Sequence, residues 1–336
     1  MLEALLVVAL SLTGLAYLAG LVRLWQSAGL GHGVRRGEAA AFTAGWILLV
    51  LALVSPLHHL GATLFWAHMA QHELLMVAAA PLLVLGRPLV ALVWAAPRGW
   101  RQTLAGVTTV PWFRRSWEWL SLPLVAWTIH ALAIWVWHVP RLFQATLESD
   151  AVHGAQHLSF LGSALLFWWS LLQVREGRLG RPTAVIYLFT TAVHTSLLGA
   201  LLTFSSEIWY PRYGASAASW GLSGLEDQQL GGLIMWIPAG LTYLAAALAV
   251  MGSWLREPKA RLVLSRGGAL LLLLALPVST GCRHSSGLTR EAAAQVTRGG
   301  NPERGAVALR PYGCVSCHTI PGIPGPRATV GPALGG

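Results

Sequence analysis

Charge is scarce in this chain. Only 11% of its 336 residues are Asp, Glu, Lys or Arg, against about 25% in ordinary soluble domains. With 55% hydrophobic residues and a mean hydropathy of +0.57, a water-soluble globule is excluded and a membrane protein is expected. Cysteine is nearly absent: three residues, too few for a four-cysteine zinc site. No phosphate-binding glycine loop and no nucleophile–base arrangement is visible, so hydrolytic chemistry has no footing. Methionine is sparse too, at Met1, Met69, Met76, Met235 and Met251 only.

What is abundant is apolar sequence in runs near the roughly 20 residues that cross a bilayer. Candidate spans are Leu2–Leu21, Ala39–Ser55, Thr63–Leu85, Trp119–Val139, His157–Val174, Thr183–Ser205 and Gln228–Leu255. Leu89–Ala96 is too short to span and reads as an interfacial piece. The expected fold is all-α: a polytopic bundle of seven spans within residues 1–266, a short eighth apolar segment over 267–281, and a small helical domain over 282–336. Many of the 17 tryptophans stand at span ends, as an interfacial belt requires.

Basic residues orient the spans. The stretches 23–38, 86–117, 175–182 and 255–266 hold 3, 5, 3 and 4 Lys or Arg, while 57–62, 140–152 and 206–226 hold 0, 1 and 1. By the positive-inside rule the first set is cytoplasmic, and the N-terminus and the second set lie outside. The net charge of +10 is then a topology signal, with no case for nucleic-acid binding. A bacterial inner-membrane location is expected.

Two of the three cysteines form Cys314-Val315-Ser316-Cys317-His318. In a C-x-x-C-H pattern two thiols add to the haem vinyl groups and the adjacent imidazole reaches the iron, so covalent haem c is expected. The charge-derived topology puts this segment outside, where haem attachment is expected. No methionine follows His318 to serve as sixth ligand, and 18 residues remain, so the haem domain reads as partial. The run Gly267–Gly281 is either an eighth span or, with Val278-Ser279-Thr280-Gly281-Cys282, a lipoprotein-like signal segment.

Histidines cluster in or beside the spans, where ionisable side chains are costly. His68 and His72 are four apart, and so are His153 and His157, which puts each pair on one helix face. At 1.5 Å per residue His68 lies about 8 Å below Thr63, His72 about 14 Å, and His194 about 17 Å below Ser205. All fall in the outer half or near the midplane. Paired histidines on neighbouring helices can build a metal or cofactor site. The candidate ligands are His68, His72, His138, His153, His157, His194, Asp227 and Met235, with Met235 adding a preference for Cu(I). The plainer alternatives are interhelical hydrogen bonds for the histidines and a helix cap for Asp227.

These residues resemble the CtaG family of cytochrome c oxidase assembly factors. The resemblance runs from about Ala39 to Leu255, through His68-Met69-Ala70-Gln71-His72-Glu73-Leu74-Leu75-Met76, Trp137-His138-Val139-Pro140, His153 to Phe160, and Asp227-Gln228-Gln229-Leu230-Gly231-Gly232. It implies maturation of haem–copper oxidases with copper delivery, and as partners oxidase subunits, a copper chaperone and membrane lipid. The haem c segment lies outside the usual family pattern and suggests a fusion. A membrane electron-transfer cytochrome, with haem b in the bundle and haem c outside, is the alternative. A transporter is the third reading, disfavoured because no acidic residue is apparent within a span.

Overall fold

The computed structural model describes residues 2–107, 110–172, 180–256 and 301–308. Two compact units divide the chain, Met1–Glu257 and Pro258–Gly336. In the second, only the short helix Pro302–Ala308 is described. The haem motif, Cys282 and the run Gly267–Gly281 lie outside the described residues.

The first unit is helical throughout, with no strand among the described residues. Its long helices are α1 (Leu2–Ala28), α2 (Arg36–Val54), α4 (Phe65–Glu73), α9 (Pro123–Trp137), α11 (Asp150–Leu172), α12 (Arg181–Thr203) and α14 (Gly224–Leu255). Short helices join them: α3 (Pro56–Gly61), α5 (Ala80–Leu85), α6 (Pro88–Ala95), α7 (Arg98–Val107), α8 (Pro111–Leu120), α10 (Pro140–Thr146) and α13 (Gly214–Ala218). By length and apolarity five helices among the described residues qualify as spans, α1, α2, the run Phe65–Leu85, α12 and α14. A sixth is counted if α8 and α9 form one broken span. Seven spans were expected; α11 is long enough but carries Asp150, His153, Gln156 and His157 in its first two turns.

Proline sets two of the irregularities. Pro123 has no N–H to continue α8 and holds Leu122 extended, so α8 and α9 meet at 66°. Pro81 sits just beyond a π-helical segment, Leu74–Ala79, that joins α4 to α5. There the Ala80 N–H bonds to Leu75 O, five residues back. The same register would pair Met76 O with residue 81, a proline that has no N–H to give. Trp168 of α11 fills the gap, its Nε1 donating to Met76 O at 3.0 Å. One indole thus ties α11 to the third span.

Close approach brings α14 against its neighbours. A Cβ on Gly231 would lie 2.3 Å from the Phe65 ring, and one on Gly232 would lie 2.7 Å from the Thr203 backbone. Only glycine at these positions lets α14 reach both α4 and α12. A capping box starts α14: Glu226 N–H donates to Ser223 Oγ at 3.2 Å, and Ser223 N–H donates to Glu226 Oε2 at 2.8 Å. That start fixes Asp227 one residue on, facing the beginning of α4.

The absence of an acidic residue within the spans does not hold. Glu73, on the third span, is buried, and its Oε2 has no hydrogen-bond partner among the described residues.

Candidate metal centre

The two spaced histidine pairs meet. His68 and His72 project from α4 and His153 and His157 from α11, and the rings interlock. Centroids lie 4.4 Å apart for His68–His72 and 4.3 Å for His153–His157. Across the helices they lie 5.0 Å apart for His68–His153 and 5.2 Å for His72–His157. His153 Nε2 and His157 Nε2 face each other at 3.1 Å. One ligand atom from each of His68, His153 and His157 can be chosen so that all three lie within 4.8 Å of one another. Metal–imidazole bonds of about 2.0–2.1 Å need only a modest contraction from that spread. His68, His72 and His157 are buried and His153 is half-buried.

Hydrogen bonds leave some of these nitrogens free and hold others. Both ring nitrogens of His72 are buried without a partner among the described residues, a costly state for an imidazole that nothing binds. His68 is held on both sides: Nδ1 lies 3.2 Å from Gly61 O and 3.0 Å from Tyr213 Oη, and Nε2 lies 3.2 Å from Gln156 Oε1. Ligation by His68 therefore requires one of these contacts to be released, and the other would then orient the ring. Burial and the nearby Asp227 raise the Tyr213 hydroxyl well above its ordinary range, so it stays protonated and donates to Gly61 O at 2.9 Å. Phe143 and Phe160 close the site with rings 5.1 Å from His68 and 4.6 Å from His72.

The remaining candidates separate. His138, the cap residue of α9, donates from Nδ1 to Ile134 O at 2.7 Å, which leaves a lone pair on a buried Nε2 that has no partner among the described residues. Its ring is 6.1 Å from both Phe143 and Phe160, the rings that also flank His68 and His72. His194 packs elsewhere, against Trp127 at 5.3 Å, and its Nδ1 accepts from Trp135 Nε1 at 3.4 Å. The proton of a neutral His194 is therefore on Nε2, which has no lone pair for a metal.

Asp227 spends both carboxylate oxygens on the start of α4, accepting from Phe65 N–H at 2.8 Å and Trp66 N–H at 3.0 Å. Leu64, the residue before α4, provides no side-chain cap of its own. Asp227 is thus a cap supplied to another helix, whereas the plainer alternative had it capping the start of its own, which Ser223 and Glu226 do. Met235 is buried in the same apolar core that contains Phe143 and Phe160. The ligand atoms that meet within 4.8 Å are imidazole nitrogens.

Three contributors escaped the sequence. His58 of α3 stacks on His153 at 5.4 Å with rings 12° from parallel. Its Nδ1 accepts from Gln71 Nε2 at 3.0 Å, and burial holds its imidazole below the ordinary range. Gln156, directly before His157, and Tyr213 complete the frame around His68. The outer-end position of His58 was legible; its turn toward α11 was not.

The family model described as "Cytochrome c oxidase caa3 assembly factor (Caa3_CtaG)" matches residues 15–257. Among curated proteins, the chain is 27% identical over 250 residues to the uncharacterised protein ML1998 of Mycobacterium leprae, covering 73% of this chain and 38% of that one. It is 26% identical over 235 residues to the uncharacterised protein Mb0105 of Mycobacterium bovis, covering 66% of this chain and 35% of that one. The chain thus spans less than two fifths of the length of these curated relatives. No solved structure matches it.

Proposed function

Because the chain belongs to the Caa3_CtaG family of cytochrome c oxidase assembly factors, we propose that it binds copper at the histidine cluster and passes it outward to an oxidase subunit. The observation that carries this reading is the meeting of His68, His153 and His157, with ligand atoms within 4.8 Å. Imidazole suits copper, zinc, iron and nickel alike, so the choice of copper rests on the family's association with an oxidase. Copper here is cargo. The cluster's dry floor of Phe143 and Phe160 keeps water from competing for the ion, while the half-buried His153 leaves one side open for ligand exchange with a partner.

The haem c segment belongs to the same proposal: Cys314 and Cys317 would hold the macrocycle and His318 the iron, on the outer side of a bacterial inner membrane. Haem b in the cluster is the weaker reading. The four imidazoles pack ring against ring at 4.3–5.9 Å, which leaves no flat slot for a macrocycle between them.

The test is His68→Ala/His72→Ala in the full chain, reading bound copper and oxidase activity in the same membranes. Both are expected to fall, with protein level and haem staining unchanged. Loss of copper with normal oxidase maturation would make the site a store. No change in either would make these histidines helix-packing groups only.

A further inference from the structure

We propose that His59 and His58 are the outer rungs of a loading relay that hands the ion inward, imidazole to imidazole, to the buried His72. The inference rests on the metal-handling reading above and adds a route and two residues to it. Exposure falls steadily along the series: His59 is exposed, His58 and His153 are half-buried, and His157, His68 and His72 are buried. Each ring lies within one short step of the next. The centroid separations are 5.9 Å for His59–His58 and 5.4 Å for His58–His153. They are 4.3 Å for His153–His157 and 5.2 Å for His157–His72. A side branch through His68 is 5.0 Å from His153 and 4.4 Å from His72.

Local structure positions His58. Ser55 Oγ accepts from Leu57 N–H at 3.1 Å and Pro56 starts α3, which turns the chain at the outer end of α2 so that His58 faces α11. Gln71, one residue before His72, donates to Ala52 O at 2.7 Å and to His58 Nδ1 at 3.0 Å. This amide fixes the His58 ring nearly parallel to His153. With Nδ1 accepting, a neutral His58 carries its proton on Nε2, so an arriving ion takes the Nδ1 lone pair and displaces the Gln71 amide. Each transfer breaks one copper–nitrogen bond as the next forms; no electron moves, and the imidazoles stay neutral. A graded series of like donors suits such exchange, because no step strands a bare ion in an apolar interior.

The experiment uses the full chain in detergent, without oxygen, and Cu(I) presented as its coloured bicinchoninate complex. Stopped-flow loss of the colour reads the loading rate, and the plateau reads ions bound per chain. For His58→Ala/His59→Ala the rate is expected to fall about tenfold or more with an unchanged plateau. The exposed His59→Ala alone is expected to slow loading by a smaller factor. Full plateau at the unaltered rate in the double variant overturns the relay and leaves the site standing. A lowered plateau with an unaltered initial rate also overturns it, since His58 is then a resident ligand. No uptake by the unaltered chain overturns the metal site itself, and the relay with it.

Discussion

Asp227 shows how one side chain can organise a site without belonging to it. Its carboxylate replaces the missing cap of α4 by taking two N–H groups from the first turn, where the helix dipole also favours negative charge. This contact locks α14 to the helix that carries His68 and His72. Asp227→Ala is therefore expected to destabilise the bundle by about 0.5–2 kcal/mol, the range for loss of a helix cap. Asn keeps an accepting oxygen, so Asp227→Asn is expected to retain most of that stability and the full bound metal. Thermal unfolding in detergent and metal analysis of the same samples check both; a loss of metal in the Asn variant at normal stability would return Asp227 to the ligand set.

Among the elements, the π-helical turn Leu74–Ala79 carries the most consequence. It leaves Met76 O without a helical partner, and Trp168 reaches across from α11 to satisfy it. The indole is also stacked on Tyr243 of α14, with centroids 5.8 Å apart. Three helices that frame the histidines are pinned at one point. Trp168→Phe keeps the bulk and removes the donor, leaving a carbonyl orphaned in the interior, at a cost of about 1–3 kcal/mol. The expected outcome is a lower unfolding temperature with correct membrane insertion. Because α4 and α11 would then be less firmly registered, metal affinity is also expected to fall; unchanged affinity at lowered stability would limit Trp168 to packing.

For the whole molecule, the division at Glu257–Pro258 separates a membrane unit with its own core from the segment bearing the C-x-x-C-H pattern. The histidine cluster draws every member from the first unit. Cys317→Ala is accordingly expected to abolish covalent haem staining while membrane insertion and bound copper stay normal. Loss of the whole protein from the membrane would show that the two units do not fold independently.

Periodicity and composition by themselves determined the all-α class, the approximate course of most long helices and the shared faces of His68 with His72 and His153 with His157, while α11 starts at Asp150, seven residues before the expected span. Those features depend on local chemistry: apolar length sets a span, and a four-residue interval sets a shared face. The family resemblance was legible in the same runs. Only the tertiary structure decided that the two pairs face each other, that His58 stacks on His153, and that His194 and Asp227 are engaged elsewhere. The physical reason is that a ligand set is defined by helix rotation and by which nitrogen stays unbonded. Those are settled by contacts far apart in sequence: Trp168 on Met76, Asp227 on Phe65 and Trp135 on His194. The π-helical turn shifts the register of the third span in a way an ideal 3.6-residue wheel does not anticipate.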